Sequence, residues 1–131
     1  MTNKSLVEIS TEWDIVAARQ LGRDEAREIG FGIVDQARIS TAISELARSL
    51  FLYGIAGEIV IERITSADKL GVCVTASYSS QNEGNQIKQV RSSSSGKLDV
   101  GFESVKRLID EIEIQEDVAK GTFVKIQKWL E

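Results

Sequence analysis

The chain has 131 residues, 16 basic against 20 acidic side chains, no histidine and one cysteine. A net charge of −4 gives no electrostatic case for nucleic acid. Without histidine, His-based nucleophilic triads and His-ligated metals are excluded, and Cys73 alone forms neither an internal disulfide nor a zinc cluster. Any chemistry must therefore come from carboxylates, hydroxyls, lysines and backbone amides.

Hydrophobic residues make up 42% and charged residues 27%, an ordinary globular balance. The length fits one domain, 1–131. No apolar run approaches the roughly 20 residues of a membrane helix. The opening Met-Thr-Asn-Lys-Ser lacks the apolar stretch of a signal peptide. With the lone thiol, these features predict a cytoplasmic protein, Cys73 being a small buried hydrophobe in the run Leu70 to Ala76.

Along the chain, Val7 to Ile9 predicts a short edge strand. Thr11 and Asp14 form a capping box ahead of Ile15, Ala18, Leu21, Gly22, Ala26 and Ile29, so residues 12–29 form an amphipathic helix ending at Gly30. After Gly30-Phe31-Gly32, a second helix runs from Val34 to Leu52 with Ile39, Ile43, Leu46, Ala47, Leu50 and Phe51 on one face and Gly54 as its stop. The β-branched run Glu58–Ile64, a turn over Thr65 to Lys69, and the alternation of Val72, Val74 and Ala76 in Leu70–Ser77 predict a β-hairpin. Residues 77–99 are polar and Ser-rich, with a short helical turn near Gln86–Arg91. A loop of that length in a compact domain is usually functional. A third helix, Val100 to Glu111, leads to a final hairpin of Ile112–Glu116 and Thr122–Leu130 around Lys120-Gly121. The order β-α-α-β-β-loop-α-β-β predicts an α+β two-layer sandwich: a mixed, mostly antiparallel sheet with three helices on one face.

The stretches Thr11–Arg23, Asp35–Ile39, Ile43–Arg48, Val105–Glu111 and Ile126–Leu130 closely resemble the RsbT-type serine/threonine kinases of stressosome partner switching, members of the GHKL ATPase superfamily. The resemblance covers nearly the whole chain except about residues 77–100. It implies a site for ATP and Mg²⁺ built from three motifs. The first is a Glu four residues before an Asn on the second helix, acting as general base and Mg²⁺ ligand. Here Glu45 is present and Ser49 stands at the Asn position, a shorter group without the amide carbonyl. Glu45 has an alternative reading as one more solvated helical carboxylate.

The second motif is an Asp-x-Gly-x-Gly after the Val72–Ala76 strand, whose Asp takes the adenine amino group. This chain has Ser77 there, with Tyr78 offering a ring to fill the adenine space and Gly84 several residues late. The third motif is a glycine-rich lid whose amides cradle phosphates. Its counterpart is Gly96-Lys97-Leu98-Asp99-Val100-Gly101, where only Gly96 and Gly101 remain and Asp99 would repel phosphate. Both glycines also read as ordinary structural ones, at a loop end and a helix contact. Gly121-Thr122 resembles the pair that opens the family's last strand near the nucleotide, and is also a plain hairpin turn.

The resemblance implies protein partners: STAS-domain proteins of the RsbS and RsbR kind and a PP2C-type phosphatase of the RsbU kind, with no nucleic acid and no membrane. Arg19, Gln20 and Arg23 keep the family pattern although no core packing demands them. Losses at all three nucleotide motifs beside intact helices predict a binding regulator with weakened or lost ATP binding. The alternatives are an active Mg-ATP-dependent kinase, with Glu45 as base and Ser49, Ser77, Gly96, Gly101 and Thr122 lining the site, or an anti-sigma factor.

Overall fold

A computed structural model describes residues 4–52, 57–78, 104–117 and 121–130. The first strand, β1 (Lys4–Ile9), leads into helix α1 (Glu12–Ile29). Both ends of α1 are where the sequence places them. At the start, the Asp14 carboxylate accepts the backbone N–H groups of Ser10 and Thr11, each at 2.8 Å. At the end, Gly30 adopts φ 121°, a conformation glycine takes without a Cβ penalty. Its N–H reaches the Arg27 carbonyl and the Phe31 N–H reaches that of Ala26, the paired bonds of a Schellman stop. Gln36 then donates its side-chain amide to the Phe31 carbonyl at 2.9 Å, tying the connection to helix α2 (Ile33–Leu52). The stop expected at Gly54 lies outside the described residues.

Strands β2 (Gly57–Ser66) and β3 (Lys69–Tyr78) form the expected hairpin, but they pair as far as Ser66 opposite Lys69. The turn is thus only Ala67-Asp68, narrower than Thr65 to Lys69, with Ala67 at φ 53°. Strands β4 (Glu111–Asp117) and β5 (Gly121–Trp129) form the second hairpin. The five strands run in the order β1-β2-β3-β5-β4, every neighbouring pair antiparallel.

The third helix ends earlier than its periodicity suggests. Residues 104–106 are helical, 107–110 turn, and β4 has begun by Glu111. The sheet takes over those backbone groups: Asp110 N–H donates to the Gln127 carbonyl at 3.0 Å, and Asp110 Oδ2 accepts the Trp129 N–H at 2.8 Å. Residues 100–103 of that helix, and the helical turn expected near 86–91, lie outside the described residues.

One face of the sheet is covered. Ile59, Ile61, Val72, Val74, Ala76, Val124 and Ile126 meet Ile15, Ala18, Ala26, Ile39, Ile43, Leu46 and Leu50 in a continuous apolar core, with Val105 buried against it. Gly22 lets the two helices meet, because a Cβ there would run into the Ile43 side chain. Leu21, grouped with the inner face by spacing, instead lies 38% exposed at its margin. Two charged contacts cross the layers. Arg63 of β2 reaches Glu25 of α1 at 2.8 Å, and Lys128 of β5, only 9% exposed, lies 3.7 Å from Asp35 and 3.9 Å from Asp110. On the opposite sheet face, Trp129 lies over Gly71 and donates Nε1–H to Glu111 at 3.0 Å. Cys73, a free thiol only 3% exposed, is on that face opposite Glu62 and Gln127.

Candidate functional site

The C-terminal turns of α2 lie over the end of the sheet where β2 begins and β3 finishes. Leu50 rests on Gly57: a Cβ at Gly57 would stand 3.0 Å from Leu50 Cδ2 and equally close to the Ser77 carbonyl oxygen. The same turns carry Glu45 and Ser49, one turn apart and both half-buried. Ser44, beside Glu45, is buried, and its hydroxyl has no hydrogen-bond partner among the described residues. Thr122, 6% exposed, pairs with Tyr78 at the same end. Tyr78 and Thr122 therefore lie on the helix-covered side of that end of the sheet, where the last turns of α2 carry Glu45 and Ser49.

Ser77 does not join them. Successive strand residues point to opposite faces, and Ala76, 4% exposed, belongs to the core under the helices. Ser77 is thereby turned to the open face, opposite Glu58 and Phe123. The next residue, Tyr78, turns back and packs against the core. That parity was readable from Val72, Val74 and Ala76, since Ser77 is out of step with them. The buried Ser44 hydroxyl had no comparable signal, because burial of one small polar residue on a helix depends on its neighbours. Gly96, Gly101 and the remaining lid, residues 79–99, lie outside the described residues.

A nucleotide needs an acceptor for its adenine amino group and a ligand set for the Mg²⁺ on its phosphates. Ser77, expected at the acceptor position, is turned to the sheet face opposite the helices, and Tyr78, packed against the core, follows it. Among the described residues no group of three or more cysteine or acidic side chains could hold a metal.

A second surface is better furnished. The outward face of α1 exposes Trp13 at 80% and Val16 at 42%. Arg19 and Arg23 stand exposed on the same helix, and neither has a carboxylate within salt-bridge distance among the described residues. Large apolar side chains grouped with unpaired guanidinium groups are the composition of a protein contact rather than of a solvated helix.

No protein-family model matches the chain. It is 47% identical over 136 aligned positions to the serine/threonine-protein kinase RsbT of Bacillus subtilis (strain 168), an alignment spanning 99% of either chain. The chain belongs to the RsbT family.

Membership at that level covers α1, α2 and both hairpins together. Among the described residues no helix is long and apolar enough to cross a membrane.

Proposed function

We propose that this RsbT-family chain is a cytoplasmic partner-switching regulator that acts by binding STAS-domain proteins, a PP2C-type phosphatase, or both, with ATP binding weakened or lost. The observation that carries this reading is the orientation of Ser77. Ser77, expected at the adenine position, falls on the sheet face opposite the one that the helices cover. Docking on a partner requires no phosphoryl transfer, and the exposed Trp13, Val16, Arg19 and Arg23 supply a surface for it.

The test is calorimetric titration with Mg-ATP and with a non-hydrolysable analogue, alongside thermal melts. A ligand at a hundred times its dissociation constant stabilises by about 2.7 kcal/mol. The regulator reading expects no heat of binding and no rise in melting temperature at millimolar nucleotide, while Arg19→Glu/Arg23→Glu abolishes partner capture without altering the melt. Micromolar nucleotide affinity would overturn the first half, and unimpaired capture by the arginine variant the second.

A second reading has a specific support: Glu45 stays half-exposed at its place on α2, and the curated relative is named a kinase. Under it the chain phosphorylates a STAS-domain serine or threonine, with Glu45 as general base and Ser49 and Thr122 beside it. Glu45→Ala separates the two. It leaves partner binding intact in either case and removes phosphorylation only if the chain is a kinase.

A further inference from the structure

The two edges of the sheet carry different chemistry. The β4 edge, Glu-Ile-Glu-Ile-Gln-Glu-Asp, is acidic at four of its seven positions and repels a copy of itself. The β1 edge, Lys4-Ser5-Leu6-Val7-Glu8-Ile9, carries one cation and one anion four residues apart around a central leucine. Its outer side pairs with no other strand among the described residues. Edge strands normally blunt such a side with charge that disfavours pairing. Here the charges do the opposite.

Consider β1 set antiparallel to β1 of a second copy, with Leu6 opposite Leu6. Lys4 of either copy then falls opposite Glu8 of the other, and Ser5 opposite Val7. Every residue keeps its face, since the pairing matches even with even and odd with odd. Shifting the register by two residues either way places Leu6 against Lys4 or Glu8 and loses both ion pairs.

The rows inside each sheet support the same register. Glu8 lies opposite Glu58 in its own sheet, a like-charge pair that is unfavourable on adjacent strands. A Lys4 arriving on its other side sets a positive charge beside Glu8. Lys4 itself already meets Glu62 at 3.6 Å, so the rows become Glu-Glu-Lys-Glu in either direction, with alternating sign at the junction. Between them, Leu6 is 55% exposed beside Val60, and the pairing converts it into a Val60-Leu6-Leu6-Val60 row across the two-fold.

From this self-complementary charge register we infer that β1 is a homodimer contact, joining two copies through a continuous antiparallel sheet. The interface is a single short strand, below the area of most stable complexes, so the dimer is weak and depends on concentration.

Sedimentation velocity of the full chain at increasing concentration tests this. The wild type shifts from monomer toward dimer and stops there. Glu8→Lys, which sets like charges opposite Lys4 while relieving the Glu58 contact, weakens the dimer at least about tenfold, each 1.4 kcal/mol being a factor of ten. The double variant Lys4→Glu/Glu8→Lys restores it, because the swapped pair is again complementary. Thermal melts establish that all three chains fold. A wild type that stays monomeric throughout, growth beyond the dimer, a dimer indifferent to Glu8→Lys, or a double variant that fails to recover would each overturn the inference.

Discussion

Replacing Gly71 by alanine probes how the C-terminal strand is held on the sheet. A Cβ at Gly71 would stand 2.7 Å from the Lys128 carbonyl oxygen, 2.7 Å from Trp129 Cε3 and 3.1 Å from Cζ3. Ordinary contact begins at 3.4 Å, so the added methyl is about 0.7 Å too close to two groups at once. The carbonyl belongs to the segment of β5 paired with β3 and cannot retreat without breaking the ladder. The ring is held by its own bond to Glu111 and by Asp110 on the Trp129 N–H. Overpacking of this kind costs about 1–3 kcal/mol. Removing a glycine from a strand interior returns roughly 0.5–1 kcal/mol. The net expectation is a loss of about 1–2 kcal/mol, which lowers the melting temperature by several degrees in a chain of this size. Circular dichroism melts measure it. Tryptophan emission in a Trp13→Phe background, where only Trp129 reports, shifts to the red as the ring is pushed from its seat. A Gly71→Ala chain as stable as the parent, with unchanged emission, would refute the placement of Trp129 over Gly71.

Two further outcomes follow from titratable groups. The Asp14 carboxyl is held below the usual range, first by the Ser10 N–H and then by that of Thr11. A depressed folded pKa gives stability that is fully present above the unfolded value of about 3.9 and is lost as pH falls through the folded one. Asp14→Ala should therefore melt earlier than the parent at neutral pH, with the gap closing in strong acid; a gap independent of pH would show that the carboxylate does not cap α1. Burial pushes the Cys73 thiol up, and the neighbouring Glu62 adds to the effect. Iodoacetamide should label the native chain at neutral pH far more slowly than the urea-unfolded chain, since the thiolate is the nucleophile. Equal rates would mean that Cys73 is not covered on the open sheet face.

Much of the architecture was legible from local chemistry. The apolar spacing between Ile15 and Ile29, the Asp14 carboxylate and Gly30 delimit α1 at its observed ends, because caps and periodicity act within a few residues of themselves. The two hairpins and the face shared by Val72, Val74 and Ala76 were equally local. For the candidate site, the resemblance supplied the expected positions: Glu45, Ser49, Ser77 and Thr122.

What lies between distant segments was decided only in three dimensions. Strand periodicity says nothing about which strands pair, so the position of β5 between β3 and β4, and of β1 on the edge, belongs to the tertiary fold. The helix before β4 stops short because Asp110 bonds across to β5, a competitor that its own periodicity does not contain. Lys128, in step with Val124 and Ile126, is buried on the helix-facing side beside Asp35 and Asp110, partners that come from elsewhere in the chain. The face that Ser77 takes has the same origin. Ser77 obeys its local period, but only the packing of the helices on the face of Ala76 determines that it is turned to the open one.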